Sequence, residues 1–162
     1  MLHTMKLPAD TDRTPRSVRA AAWGMRVAFL LVFVVNVQCA LQFVLWPDAY
    51  AGAYELSGVA GAVAVQGIGV AFLMWNVTYP AVVVAPRRFR ALAVVVLVQQ
   101  VVGLVGETLI LLGLPAGHET LAASIERFIA FDAAGLVLMA VTFIWLLAAE
   151  HRAASAAAAD KA

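Results

Sequence analysis

Four long apolar runs, separated by short polar intervals, organise this chain. They extend from Ala20 to Trp46, Gly58 to Val84, Phe89 to Leu114 and Leu121 to Ala149. Each exceeds the roughly 20 residues that a helix needs to cross a hydrocarbon core of about 30 Å. The intervals are short, which makes consecutive helices antiparallel neighbours. The pattern therefore predicts an all-α integral membrane four-helix bundle, up-down-up-down, over residues 20–149 (20–46, 58–84, 89–114 and 121–149). Residues 1–19 mix Thr, Pro, Asp and Arg without periodicity and read as a disordered tail. Residues 150–162 form an Ala-rich tail that the last helix enters for a turn or two.

Punctuation within the runs agrees with this division. Trp46-Pro47 ends the first helix, Pro stopping it and Trp suiting the interface. Trp23 and Trp145 are expected at the opposite face of the bilayer. Pro80 lies inside the second run and removes the hydrogen bond to the carbonyl of Asn76. Asn76 and Thr78 are expected to satisfy the loosened turn, a structural role. Glycines at 58, 61, 67, 69, 103 and 106 let backbones approach closely where the hydrophobic effect no longer drives association.

Composition confirms the class and charge orients it. Hydrophobic residues make up 64% of the 162-residue chain and the mean hydropathy is +0.90, outside the usual range of a soluble domain. Lys6, Arg13, Arg16, Arg19 and Arg26 precede or open the first run. Arg87, Arg88 and Arg90 lie between the second and third, and Arg152 and Lys161 follow the fourth. The intervals around 48–57 and 115–120 carry neither Lys nor Arg. The positive-inside rule then puts both termini and the middle connection in the cytoplasm, consistent with a bacterial inner membrane. The first run is too long for a signal-peptide core and reads as a retained anchor.

Polar residues inside the runs are few, and they cluster. Gln100, Gly103 and Glu107 share one face of the third helix, and Gln38 and Gln42 share one face of the first. Such faces are expected to point into the bundle, because exposing them to lipid is costly. At a rise of about 1.5 Å per residue, Gln42, Glu107 and Arg127 lie roughly 6–9 Å below the external boundary. Gln38 and Gln66 follow at roughly 12 Å, and Asn36, Gln100 and Asp132 fall near the midplane. Gln38, Gln42, Gln66, Gln100, Glu107, Arg127 and Asp132 therefore form a candidate polar pocket in the outer half, above a mostly apolar inner half. Glu107 and Arg127 are the expected ion pair. Arg127 and Asp132 stand about 140° apart on their helix, so Asp132 needs another partner, Gln100 or Asn36. Asn36 points away from the Gln38/Gln42 face and is expected to mark a second contact surface. The layer reads either as a ligand site or as a set of fasteners.

Several chemistries have no candidate. His3, His118 and His151 lie in a tail, an external loop and a helix end, so no haem or metal site is expected. No intramembrane Ser is paired with a His base, and no basic domain serves nucleic acid. Arg87-Arg88-Phe89-Arg90 reads as a topology determinant and a contact for anionic lipid. Cys39, the only cysteine, forms no internal disulfide. No residue is assigned a catalytic role.

The chain resembles the DoxX-like group of small four-helix bacterial membrane proteins in its size, its Trp46-Pro47-Asp48 exit, its Gly-rich second helix and Arg127 early in the fourth. That resemblance implies a link with quinone or thiol redox chemistry, often as an accessory subunit. The expected function is to bind an amphipathic small molecule, such as a quinone or lipid. The alternative is a non-catalytic accessory or assembly subunit of a membrane complex or homo-oligomer. A transporter or channel subunit comes third, because no internal repeat is evident.

Overall fold

In the computed structural model, which describes residues 14–160, the backbone is helical with no strand among those residues. Helix α1 spans Arg16–Leu45 and is followed by the short α2, Asp48–Ala51, and a 3-10 turn, Gly52–Tyr54. Then come α3 (Gly58–Asn76), α4 (Tyr79–Val84), α5 (Arg90–Leu112) and α6 (Glu119–Ala159). With α3 and α4 taken together as Gly58–Val84, four segments are long and apolar enough to cross a membrane. Their outer faces are dense in exposed Val, Leu and Ile, a surface that water would not tolerate over such an area. The chain is an integral membrane protein.

The ends differ from expectation. Helix α1 already starts at Arg16, within the stretch read as tail, because Pro15 is compatible with a helix start and no breaker follows it. The rest of that tail up to residue 13, with His3, Lys6 and Arg13, lies outside the described residues, as does Lys161. Helix α6 continues to Ala159, well past residue 149, through alanines that favour helix more than any other residue.

The second segment breaks where Pro80 predicts. Asn76 Nδ2 donates to the Phe72 carbonyl at 2.7 Å, and Thr78 Oγ1 donates to that of Trp75 at 3.3 Å. Those bonds are the structural role expected of the two side chains. The break leaves Pro80 in the first turn of α4, where its missing N–H costs little.

Helix α1 packs along α3 and α6, α5 packs along α6, and α4 packs against α1 and α5, whereas α3 has no comparable seam with α5. Glycine creates the close seam between α1 and α3: a Cβ on Gly69 would stand 2.8 Å from the carbonyl oxygen of Ala40. At one end, Arg87 reaches Glu150 at 2.8 Å and Thr14 at 3.4 Å, and Arg90 joins the same carboxylate. At the other, His118 Nδ1 donates to Glu55, which also accepts from the N–H of Leu121 at 3.3 Å. We call these the basic end and the capped end.

The half of the bundle nearer the basic end is solid. Met25, Phe29, Tyr79, Val82, Met139 and Leu146 fill it with no solvent exposure. A smaller cluster around Phe43, Ala51 and Val65 lies under the cap. The candidate site lies between the two.

Candidate functional site

Gln100 on α5 is the centre of the polar layer and only 3% exposed. Its Oε1 accepts from the Tyr79 hydroxyl at 3.3 Å, which orients the amide. Its Nε2 therefore faces α6 and donates to Asp132 Oδ1 at 2.7 Å. Of the two partners expected for Asp132, Gln100 is the one that binds it. Gly103 makes room for this contact, since a Cβ there would lie 2.5 Å from Asp132 Oδ2. Gly135 does the same beside the Gln100 amide, at 3.4 Å.

Two adjoining chambers open from this layer. The deep one, about 60 Å³, is lined by the polar side chains of Asn36, Asn76, Gln100, Glu107 and Asp132. Trp75 and three phenylalanines complete its wall. The outer one, about 370 Å³, lies toward the cap between α1, α3 and α6, with Cys39, Phe43, Ser124 and Arg127 on its sides. Tyr50, Ala53 and Tyr54 from the capping turn form its roof. Asn36, Phe72, Phe128 and Phe131 belong to both chambers and form the partition. The aromatic rings brace one another: Phe72 and Phe128 meet edge-on with centroids 6.0 Å apart, and Phe43 lies 5.0 Å from Tyr50. Burial pushes the Tyr54 hydroxyl up, so it remains a hydrogen-bond donor at the mouth.

The seven expected site residues separate into groups. Gln100, Glu107 and Asp132 meet in the deep chamber, and Arg127 lines the outer one. Gln66 belongs to neither; its Nε2 donates to the carbonyl of Val44 at 3.1 Å and fastens α3 to the end of α1. Gln38 is exposed on the outer surface, and with Gln42 it borders a shallow apolar groove beside Leu41 and Leu45. The inward face of α1 carries Asn36 and Phe43 instead. Gln38 sits about 200° around the helix from Asn36, so one side chain being inside puts the other outside.

Glu107 and Arg127 form no ion pair; among the described residues none joins them. Depth alone does not bring two side chains together. Asp132 is the residue that α6 turns toward α5, and the 140° or so between it and Arg127 carries the arginine into the outer chamber. Glu107 Oε2 is left buried without a partner. Toward the basic end the core is full, so the room for an apolar body is under the cap, next to the aromatic rings.

Sequence reasoning missed Tyr79 and the Phe72/Phe128/Phe131 partition, and it left Asn36 open between a partner of Asp132 and a second contact surface, where the structure turns it into the chambers. Phe128 and Phe131 did carry a signal, flanking Arg127 and Asp132 at helical spacing. Tyr79 carried none, because only the break before Pro80 turns its hydroxyl onto Gln100. No family model, curated protein or solved structure matches the chain, so the functional reading rests on this geometry.

Proposed function

We propose that the chain is a small polytopic protein of the bacterial inner membrane, with both termini and the arginine-rich turn in the cytoplasm, that binds an amphipathic small molecule such as a quinone or a lipid. Membership of the DoxX-like group is part of the same reading. The observation that carries it is the aromatic-lined chamber of about 370 Å³ under the capping turn, ending on the polar chamber of Gln100, Glu107 and Asp132. Its volume lies within the ~300–1,000 Å³ typical of small-molecule sites. Apolar walls with a few converging polar groups are the usual composition of such sites. By the distribution of Lys and Arg the chambers lie in the outer half, and a ligand enters past Tyr50, Tyr54 and Arg127. The proposed role is binding rather than catalysis.

Mass spectrometry of the gently solubilised protein, with organic extraction of the same sample, tests this reading. A stoichiometric amphiphile that is depleted when Ala53→Trp fills the outer chamber is the expected result. A ligand-free chain that retains no amphiphile added back to it would overturn it.

A second reading has its own support. Gln38 presents an exposed amide, beside Gln42, on a mostly apolar outer face, where lipid offers no hydrogen-bond partner. A neighbouring transmembrane helix would supply one, as in an accessory subunit or homo-oligomer. Loss of a co-purifying partner or copy on Gln38→Leu supports that reading.

A further inference from the structure

The deep chamber is unbalanced in hydrogen-bonding character. Asn76 is 3% exposed, and its Nδ2 is committed to the Phe72 carbonyl, which leaves its Oδ1 buried and unpartnered. Glu107 Oε2 is buried and unpartnered in the same chamber. Asp132 presents a second carboxylate, which receives one donor, from Gln100. Acceptors thus converge from α3, α5 and α6, and among the described residues no Lys, Arg or His lines the chamber. Arg127 lines only the outer chamber.

Three features point to what would fit. A buried acceptor without a donor costs free energy, and a buried carboxylate without a positive neighbour costs more. Apart from Asn36 and Gly103 the remaining wall is aromatic, Trp75 with Phe72, Phe128 and Phe131, and aromatic faces attract cations. The chamber is small, about 60 Å³, and it adjoins the outer chamber, with which it shares Asn36, Phe72, Phe128 and Phe131. A quinone carbonyl is itself an acceptor and would leave the convergent oxygens unmet. A hard metal ion seeks six or more oxygens rather than an aromatic wall.

Resting on the amphiphile-binding reading above, we propose that this site takes a ligand with an ammonium head, seated among Asn76, Glu107 and Asp132, with its apolar body in the outer chamber. A primary ammonium brings one positive charge and three N–H donors to three acceptor groups. The relay from Tyr79 through Gln100 holds Asp132 in place and leaves its second oxygen for the ligand.

The test uses dansylcadaverine, an aromatic body on a pentyl ammonium, and its N-acetyl derivative, which keeps the body and removes the charge. Both are titrated at neutral pH onto the full chain in detergent micelles and followed by fluorescence anisotropy. The amine should bind saturably and the acetylated probe about ten-fold or more weakly, the scale of a lost hydrogen bond to a charged group. Asp132→Asn and Glu107→Gln, both near-isosteric, should each reduce amine affinity by a similar factor and leave the acetylated probe unaffected. Glu126→Gln, on the exposed face of α6, should change neither. Equal affinities for the two probes, both abolished by Ala53→Trp, would overturn the ammonium assignment while the amphiphile site stands. Saturable binding of neither probe would overturn both. The comparison of probes on the unaltered chain needs no variant to fold.

Discussion

Replacing Gly103 by alanine probes the contact on which the polar layer depends. The added Cβ would lie 2.5 Å from Asp132 Oδ2 and 3.7 Å from the Trp75 ring. Contact at 2.5 Å is too close to persist, so the Asp132 carboxylate must swing away from α5. A carboxylate is the far end of a flexible side chain and would move cheaply, except that its other oxygen holds Gln100 at 2.7 Å. Losing that hydrogen bond to a charged or polarised group costs about 1.5–3 kcal/mol. Alanine returns up to about 1 kcal/mol through its better helix propensity. The net expectation is a destabilisation of about 1–2 kcal/mol, a fall of several degrees in Tm for a chain of this size. Gly106 is the internal control, because a Cβ there meets nothing within 4 Å. Gly106→Ala should therefore be neutral or stabilising by up to about 1 kcal/mol. Thermal unfolding of the two variants in one detergent compares them directly. A Gly103→Ala protein as stable as Gly106→Ala would refute the close approach of Asp132 and α5.

Three further outcomes follow from the geometry. Glu107→Ala and Arg127→Ala should act independently, so a double-mutant cycle of unfolding free energies should close within about 0.3–0.5 kcal/mol; a larger coupling would restore the ion pair that depth alone suggested. The Glu55–His118 contact lowers the Glu55 pKa, so its contribution is fully present above about pH 4.3, the ordinary glutamate value, and is lost as pH falls through the lowered folded value. A spin label on Gly52→Cys should gain mobility as the pH falls below that ordinary value and be mobile at all pH values in Glu55→Gln, while a label as immobile in Glu55→Gln as in the native background would rule out this role of the contact. In a Cys39→Ala background, Gly52→Cys and Ala116→Cys should react with impermeant maleimide in intact cells and Ala157→Cys should not; the opposite pattern would place the capped end in the cytoplasm.

Period and punctuation alone determined the class and the segment limits. Four apolar runs long enough to span a bilayer permit only helices, since a backbone in lipid must satisfy its own hydrogen bonds. Pro80 located the break between α3 and α4, and Asn76 and Thr78 marked what repairs it, because those effects act within a single turn. The Gln100–Asp132 contact was legible in part: shared depth near the midplane offered Gln100 and Asn36 as partners of Asp132, and the structure selected Gln100. Rotation about each helix axis was not legible. A run that is apolar nearly all round has no dominant face, so two competing polar stripes on α1 look alike in sequence. Packing of Phe43 under the capping turn turned Asn36 inward and left Gln38 outside. The same dependence on rotation separated Glu107 from Arg127 despite their equal depth. The shape of the hollow was likewise decided only in three dimensions. Met25, Phe29 and Leu146 interlock toward the basic end, whereas α3 lacks a close seam with α5 and bulky rings prop the capped half open.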